Sequence, residues 1–446
     1  MEHYTTEACA AHLQGMVQIP TVSRPDCEDM DFDRFRELHA YLEKTYPLIH
    51  KTLKKEVLGR GALLYHWKGT GESSRKPLLL MAHQDVVPEG DVSAWKYPPY
   101  AGEIAEGKLW GRGTTDSKCN IMAHMEALEY LIGTGFVPSY DLYLAYGYNE
   151  EIMGGPEPAA KLIADTLKSR GISIGMVIDE CGGPSDGKYS GLDCPVCEII
   201  VSEKGYADYE FIATNKGGHS CMPDTTGALT LIAQTILALE ANWMPTRAIP
   251  AVKNYLQAVA PHMKDENAKL LEDIDGNWEA LQPVIAANRN LSAMFRSTTA
   301  ITMASGSAQA NILPEKATLT VNCRFLEGDT VESMLEYYRS IVPEGVEVRL
   351  VKGSNLCHTS PMDEQYHLLE DVTHEMYPGM LCVPGYLLGG TDSRYYTAVS
   401  DHVYRYGSFY GNGEYGPAHS VNEAIPLSVL TGGPTFFEKL LVKYGE

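Results

Sequence analysis

Three short, unbroken apolar runs separated by helical patterns restrict the fold of this sequence more than any other feature. The runs cover residues 77–82, 142–147 and 176–178, and none alternates polar with apolar positions. Strands of this composition are typical of sheets that helices cover on both faces. Helical periodicity occupies residues 120–131 and 158–168, between the runs. This alternation predicts an α/β fold with a doubly wound, mixed sheet.

A different pattern begins after about residue 203. The predicted elements are a strand, a helix, two strands, a helix and a strand, at 206–214, 227–239, 298–304, 316–325, 331–341 and 346–352. This order is that of a ferredoxin-like α+β unit, which can be inserted into another domain. An acidic, partly helical segment at 253–295 lengthens the unit.

From residue 357 the sequence returns to α/β character. A helix is predicted at 363–376, a strand at 402–409 and a C-terminal helix at 427–444. We therefore expect a first domain in two parts, 1–203 and 356–446, and an inserted domain at 204–355.

Composition excludes several classes of partner. The chain has 36 basic and 58 acidic residues, a net charge of −22, which repels phosphate backbones and anionic lipid headgroups. Neither a basic leader with an apolar core nor an apolar run of roughly 20 residues is present. The expectation is therefore a cytosolic protein that binds neither nucleic acid nor membranes.

The ten cysteines are irregularly spaced, and only Cys194 and Cys197 form a tight pair. A zinc ribbon needs a second such pair, and a redox motif should open a helix. Incidental reduced thiols are the prediction for this pair.

Polar residues capable of chemistry follow each apolar run. His83 and Asp85 end the first, Glu150 and Glu151 follow the second, and an Asp179-Glu180 pair follows the third. Open α/β sheets place their sites at the carboxyl ends of the strands. A carboxylate beside a metal-bound histidine can fix the tautomer of the ring, so Asp85 is a candidate partner of His83.

Two loops add further candidates. Asp116 lies in a Gly-rich turn at 111–118 before a predicted helix, where the alternative role is a helix N-cap. His419 lies in the loop 416–423 before the last helix. Two histidines and several carboxylates suit Zn²⁺, including a pair of ions that share a bridging carboxylate.

Seven ordered motifs carry a resemblance that runs through nearly the whole chain. They lie at residues 81–88, 110–118, 149–151, 217–220, 311–314, 389–395 and 419–423. With these motifs the sequence resembles the di-zinc aminoacylase and carboxypeptidase family of metallopeptidases, in particular its carboxypeptidase S and N-fatty-acyl-amino-acid hydrolase branch.

The resemblance implies a ligand set for two Zn²⁺ ions per chain, with Co²⁺ or Mn²⁺ as substitutes. One ion is held by His83, Asp116 and the acidic residue after the third run. Glu180 is preferred for that ligand because it matches the family's usual glutamate, with Asp179 as the alternative. Asp116 bridges to the second ion, which Glu151 and His419 also bind.

The resemblance also implies roles for other residues. Glu150 matches the general base that takes a proton from a metal-activated water, and Asp85 the partner of His83. His219 matches a donor to the tetrahedral oxyanion, commonly reaching across a dimer. Asn311 and Arg394 match positions that bind the substrate's carbonyl or carboxylate. Arg324, on a strand of the inserted domain, is interpreted as part of a structural ion pair.

The predicted function is hydrolysis of an amide bond next to a free carboxylate, in an N-acyl amino acid or at a peptide C-terminus. A biosynthetic deacetylase or desuccinylase and a dipeptidase are alternatives on the same scaffold, and a non-catalytic binding protein is a remote one. The resemblance further implies a homodimer through the inserted domain and lid closure about hinges near 202–205 and 351–355.

Overall fold

The computed structural model describes residues 3–152, 155, 157–188, 190–355 and 358–446. The described strands are β1 (Lys54–Leu58), β2 (Ala62–Trp67), β3 (Leu78–His83), β4 (Glu103–Ala105), β5 (Lys108–Trp110), β6 (Leu142–Gly147), β7 (Met176–Asp179), β8 (Gly183–Ser185), β9 (Val196–Glu203), β10 (Gly205–Thr214), β11 (Gly218–His219), β12 (Thr298–Ser305), β13 (Ile312–Leu313), β14 (Lys316–Phe325), β15 (Val346–Ser354), β16 (Leu381–Leu387), β17 (Val403–Arg405) and β18 (Ala424–Pro426).

The described α-helices are α1 (Thr6–Val17), α2 (Phe32–Thr45), α3 (Pro47–Thr52), α4 (Lys118–Gly133), α5 (Ala159–Ser169), α6 (Ala228–Ala241), α7 (Pro250–Val259), α8 (Ala268–Glu272), α9 (Trp278–Ala287), α10 (Arg289–Phe295), α11 (Val331–Ile341), α12 (Glu364–Met376) and α13 (Gly432–Tyr444). Short 3₁₀ turns follow several of these elements, including Glu150–Ile152 after β6 and Asp392–Ala398 after β16.

Nine of the described strands form one mixed sheet in the order β1-β2-β6-β3-β7-β17-β9-β16, with β8 paired to β9. The central strands β6, β3, β7 and β17 run parallel, whereas β1 and β2 pair antiparallel at one side. The predicted mixed sheet is therefore present.

Helices cover both faces of this sheet. All six residues of β3 are buried, and its side chains alternate between two apolar cores. Leu78 and Leu80 pack in the core that also contains residues of α1, α4 and α13, whereas Leu79 and Met81 pack in the core that contains residues of α5. This burial on both sides explains why the strand sequence is continuously apolar.

The predicted β-α-β-β-α-β order is present in β10, α6, β12, β14, α11 and β15. Its four strands form an antiparallel sheet in the order β12-β14-β10-β15, with β12 and β15 at the edges. Helices α7 to α10 occupy the acidic segment between α6 and β12 and build a core of their own with β16.

Several elements differ from the predictions. Strands β1, β2, β9 and β16 were not predicted, and the strand predicted at 402–409 ends at Arg405. Beyond Arg405 the chain still forms backbone hydrogen bonds with the end of β7 and the residues that follow it. The N–H of Tyr406 donates to the carbonyl of Asp179, and the N–H of Gly407 donates to the carbonyl of Cys181. This irregular pairing departs from a regular ladder. The predicted return to the first domain, at 356–357, lies outside the described residues.

No helix in the described part of the chain is long and apolar enough to cross a bilayer.

Candidate active site

The carboxyl edge of the nine-stranded sheet brings six polar side chains together. His83 is the last residue of β3, and Glu180 directly follows β7. Nε2 of His83 lies 2.8 Å from Oδ1 of Asp116 and 3.2 Å from Oε1 of Glu180. The six residues, called the sheet-edge cluster below, are His83, Asp116, Glu150, Glu151, Glu180 and His419.

Asp116 lies between the two histidines of this cluster. Its Oδ1 faces His83, and its Oδ2 lies 3.0 Å from Nε2 of His419, which is also 2.8 Å from Oε2 of Glu151. Contacts with both imidazoles hold the pKa of Asp116 well below its usual value, although burial opposes this. A carboxylate with one oxygen toward each imidazole has the arrangement of a bridging ligand.

The alternative role of Asp116 as a helix N-cap is wrong. Helix α4 begins at Lys118 rather than at residue 120, and its N-cap is Ser117, without a side-chain capping bond. The carboxylate of Asp116 is directed to the imidazoles of His83 and His419 instead.

Asp85 is fully buried and holds the neighbouring loop. Its two carboxylate oxygens accept the backbone N–H groups of Glu150 and Glu151, each at 3.1 Å. Nδ1 of His83 lies 2.9 Å from the backbone carbonyl of Asp85 and 3.4 Å from its Oδ1. A proton on Nδ1 therefore leaves Nε2 directed at the cluster.

The carboxylates of the cluster repel one another in a poorly solvated space. Burial, opposed in part by the charge of His83, raises the pKa of Glu150 well above its usual value, and burial also raises that of Glu180. Burial and the charge of Asp116 raise the pKa of Glu151 to about 7, although its contact with His419 lowers it. Such a set gains stability from a divalent cation, which neutralises the repulsion.

The donor chemistry therefore fits metal ions. His83, Asp116 and Glu151 have ligand atoms within 4.8 Å of one another, and so do His83, Glu150 and Glu180. Carboxylate and imidazole ligands in open three-residue groups are typical of catalytic zinc sites. Asp179 belongs to neither group and is buried near Thr391 and Arg405.

A buried ion pair, which the sequence reasoning missed, joins the two loops that carry Asp116 and His419. Nη1 of Arg112 donates to Oε2 of Glu423 at 2.7 Å, and both side chains are at least 98% buried. Oε1 of Glu423 accepts the N–H groups of Gly113 and Thr115 at 3.0 and 2.9 Å. Arg112 and Glu423 both lie within motifs that carry the family resemblance, but only the fold brings these motifs into contact.

Arg394 lies in the 3₁₀ turn after β16 and is almost fully buried. Its Nη1 donates to the carbonyl of Thr391, and its Nη2 lies 3.7 Å from Oδ1 of Asp392. Burial and nearby carboxylates raise the pKa of Asp392, a residue for which no role was predicted, to about 7. Arg394 also lines a cavity of about 450 Å³ between the two sheets. The other lining residues are Pro158, Lys161, Lys204, Gly205, Tyr206, Lys352, Gly353, Ser354 and Tyr395.

His219 and Asn311 are not brought to the cluster. They lie on and beside the two-stranded β11–β13 ladder, where both are exposed. Nδ1 of His219 accepts the N–H of Cys221, and the carbonyl of Asn311 accepts that of Ser220. Within the described residues, neither is in hydrogen-bonding contact with the sheet-edge cluster.

Arg324 was interpreted as a structural residue. Its guanidinium lies over the ring of Tyr206, 4.7 Å from the ring centroid, and its Nε donates to Oδ1 of Asn322. Burial lowers its pKa, and the charge of Arg394 contributes. Arg324 therefore packs against Tyr206, a residue that lines the inter-sheet cavity.

The sequence profile of the peptidase family M20/M25/M40 matches residues 79–443, which include the whole sheet-edge cluster. The chain belongs to the M20/M25/M40 peptidase family. The protein is thus an enzyme of a metallopeptidase family, as the resemblance implied.

Curated relatives cover most of this M20 chain. N-fatty-acyl-amino acid synthase/hydrolase PM20D1 of Xenopus tropicalis is 30% identical over 403 residues, covering 88% of this chain and 77% of the relative. Carboxypeptidase S of Saccharomyces cerevisiae is 30% identical over 487 positions, covering 97% of this chain and 84% of the relative. The relatives therefore include a carboxypeptidase and an N-acyl-amino-acid hydrolase.

Solved M20 structures share the fold. The metallo-carboxypeptidase Sso-CP2 of Sulfolobus solfataricus superposes with a TM-score of 0.68 at 17% identity, covering 97% of this chain and 98% of that one. Human carnosine dipeptidase 1 superposes with a TM-score of 0.65 at 14% identity, covering 99% and 96%. At these identities the likeness is one of architecture alone.

Proposed function

We propose that this M20 enzyme is a zinc-dependent amidohydrolase that cleaves an amide bond next to a free carboxylate. The observation that carries the proposal is the position of Asp116, with one oxygen toward His83 and the other toward His419. His83, Asp116 and Glu180 would hold one Zn²⁺, and Asp116, Glu151 and His419 the other. Glu180 is favoured over Asp179 because only Glu180 lies beside His83.

Glu150 is proposed as the group that moves protons. Two bound Zn²⁺ ions would supply polarisation of the amide carbonyl and a lowered pKa for water. Glu150 takes the proton of the attacking water on its carboxylate and then gives it to the leaving amine nitrogen. Burial raises the pKa of its carboxyl group, which favours the step in which it accepts a proton.

The inter-sheet cavity supports recognition of a carboxylate. Arg394 and three lysines, Lys161, Lys204 and Lys352, line its wall. A planar guanidinium can bind a carboxylate through two parallel hydrogen bonds. Nη2 of Arg394 lies 3.7 Å from Oδ1 of Asp392, whereas none of the six cluster residues lines this cavity. The proposed substrate spans from Arg394 to the metal ligands.

We also propose that residues 204–355 form a lid and dimerisation domain between the catalytic parts 1–203 and 356–446. Its sheet has an open edge at β12, where Met303 is 68% exposed, and Leu237 on α6 is 70% exposed. Exposed apolar side chains beside the open edge of a sheet are typical of protein interfaces. His219 would reach the partner's cluster from this domain and donate to the oxyanion.

The relatives support the substrate class. One relative is named as an N-fatty-acyl-amino acid synthase/hydrolase and another as a carboxypeptidase. One solved M20 structure, from Bacillus subtilis, is titled a dinuclear metal-binding peptidase. A cytosolic location remains a prediction from the sequence.

The test is metal analysis of dialysed protein combined with hydrolysis of N-acyl amino acids, dipeptides, and acetylated or succinylated amines. We expect about two Zn²⁺ in the sheet-edge cluster of each chain, and release of free amino acid that stops with chelator and returns with Zn²⁺. Preferred turnover of dipeptides or of acylated biosynthetic amines would favour the alternative substrate classes. A protein that binds no metal and turns over none of these compounds would contradict the proposal.

A further inference from the structure

We propose a further metal site, outside the sheet-edge cluster, formed by Asp193, Cys194 and His262. The ligand it fits is a transition-metal ion of the zinc class. The three residues offer a carboxylate oxygen, a thiol sulfur and an imidazole nitrogen, all within 4.8 Å of one another. This inference does not depend on the proposed function.

The distances require little movement. Zn²⁺ binds nitrogen, oxygen and sulfur ligands at about 2.0–2.3 Å, which separates tetrahedral ligand atoms by about 3.3–3.7 Å. Nδ1 of His262 already lies 3.5 Å from Oδ1 of Asp193. A closure of roughly 1 Å or less by exposed side chains would complete the geometry. The partial exposure of all three residues leaves a path for the ion and a position for water.

The backbone holds the two segments in register. The N–H of Asp193 donates to the carbonyl of His262 at 2.9 Å, and Leu192 forms an antiparallel bridge with Met263. Leu192 is buried in the apolar core that α7 builds against β9 and β16. The ligands therefore project from a fixed scaffold, which lowers the entropy that binding must overcome.

The position of the cysteines separates this site from a paired-cysteine motif. Cys197 is buried within β9 and lies close to Thr373, so it faces the core of the large sheet. Cys194, three residues earlier, lies before the strand and is half-buried beside Asp193. Cys194 and Cys197 therefore face different surroundings, and Cys194 lies close to Asp193 and His262, which the sequence does not reveal.

The ion would connect two parts of the chain that are distant in sequence. Asp193 and Cys194 lie just before β9 of the nine-stranded sheet, whereas His262 follows α7 in the helical segment between α6 and β12. Metal binding by the folded state alone stabilises it, so the ion would strengthen the attachment of this segment to the sheet.

Cobalt substitution distinguishes this site from the proposed catalytic one. The sheet-edge cluster offers only nitrogen and oxygen ligands, whereas Cys194 offers sulfur. After chelation and reloading with Co²⁺ under a non-thiol reductant, we expect a thiolate-to-cobalt charge-transfer band in the near-ultraviolet. Cys194→Ser should abolish the band and lower the bound Co²⁺ by one ion per chain, and His262→Ala should do the same.

Cys382→Ser is the matched control. Cys382 is half-buried and also contacts an imidazole, that of His374 at 3.6 Å, but belongs to no three-ligand group in the described residues. Its substitution should leave both the band and the metal content unchanged. Far-ultraviolet circular dichroism verifies that each variant is folded. Absence of the band in the wild type, or its persistence in Cys194→Ser, would overturn the proposal.

Discussion

The sheet-edge cluster and the β11–β13 ladder hold their proposed functional side chains in different environments. The cluster is assembled from strand ends and adjoining loops, and Asp85 and Glu423 fix those loops by buried hydrogen bonds. The ladder presents His219 and Asn311 to solvent, with only local bonds.

This difference distinguishes the groups that must be held at fixed distances from the oxyanion donor, which can come from another part of the protein. The proposed metal binding and proton transfer need groups at fixed distances, and the strand ends of the nine-stranded sheet hold them together with the loops that carry Asp116 and His419. A donor to the oxyanion needs to be in place only when the negative charge develops. It can therefore come from a part that moves, or from a second copy of the chain.

The largest effect that would test this comparison comes from Glu150. Replacing Glu150 by Gln retains the shape but removes the proton acceptor, so we expect kcat to fall about a hundredfold to ten-thousandfold. Metal content should stay the same, because the proposed ligand sets do not include this side chain. Steady-state hydrolysis of the best N-acyl amino acid, with metal analysis of the same samples, measures both.

Glu157→Gln is the control for this substitution. Glu157 is an exposed glutamate of the same loop region, whose side chain contacts Arg60. It should keep wild-type turnover. Full activity in Glu150→Gln would mean that the cluster does not move protons through this residue, and the sheet edge would lose its proposed role.

His219 provides the next largest effect and tests the other half of the comparison. Removal of one oxyanion donor costs about a hundredfold to a thousandfold in kcat, so His219→Ala should lose this much with little change in KM. His367→Ala, which removes an exposed histidine of α12, should be neutral.

Mixing two inactive variants tells whether the donor crosses between subunits. In a dimer of His219→Ala with Glu150→Gln chains, one of the two sites has both groups intact, so subunit exchange should restore about a quarter of wild-type activity. No recovery, with mixed dimers shown to form, would place His219 in the site of its own chain and require closure within one subunit.

The sequence predicts the residues at strand ends better than it predicts contacts between distant segments. The strand-end part of the cluster could be predicted, because continuously apolar strands fix where parallel strands end and the acidic and histidine residues follow directly after them. Asp116 and His419 lie in loops instead, and their proposed roles came from the family resemblance. The predicted contact between His83 and Asp85 is made mainly through the backbone carbonyl, which no residue pattern encodes.

Contacts between distant segments could not be predicted. Arg112 and Glu423 are 311 positions apart, and their ion pair exists only because β5 and β18 are neighbours in a three-stranded sheet. Strand β9 was missed because no turn signal separates it from β10: only Lys204 lies between the two strands. The tertiary arrangement decides such features, whereas local periodicity does not.

The smallest expected effect concerns Arg394, which lines the inter-sheet cavity and belongs to neither region. Arg394→Lys keeps the charge beside Asp392 but loses the planar fork, so substrate binding should weaken by about 1.5–3 kcal/mol, a tenfold to hundredfold rise in KM. Arg324→Lys, a neighbouring cation on β14, should change KM less.

A substrate analogue separates carboxylate recognition from a general disturbance of the site. The analogue carries a carboxamide in place of the carboxylate, and it should be hydrolysed with nearly equal KM by the wild type and Arg394→Lys. An equal rise in KM for both compounds would mean that Arg394 supports the turn at Asp392 rather than reading the carboxylate. Recognition would then belong to the lysines of the cavity wall or to Arg324, which packs against Tyr206 of that wall. The inserted domain would in that case contribute to specificity as well as to catalysis.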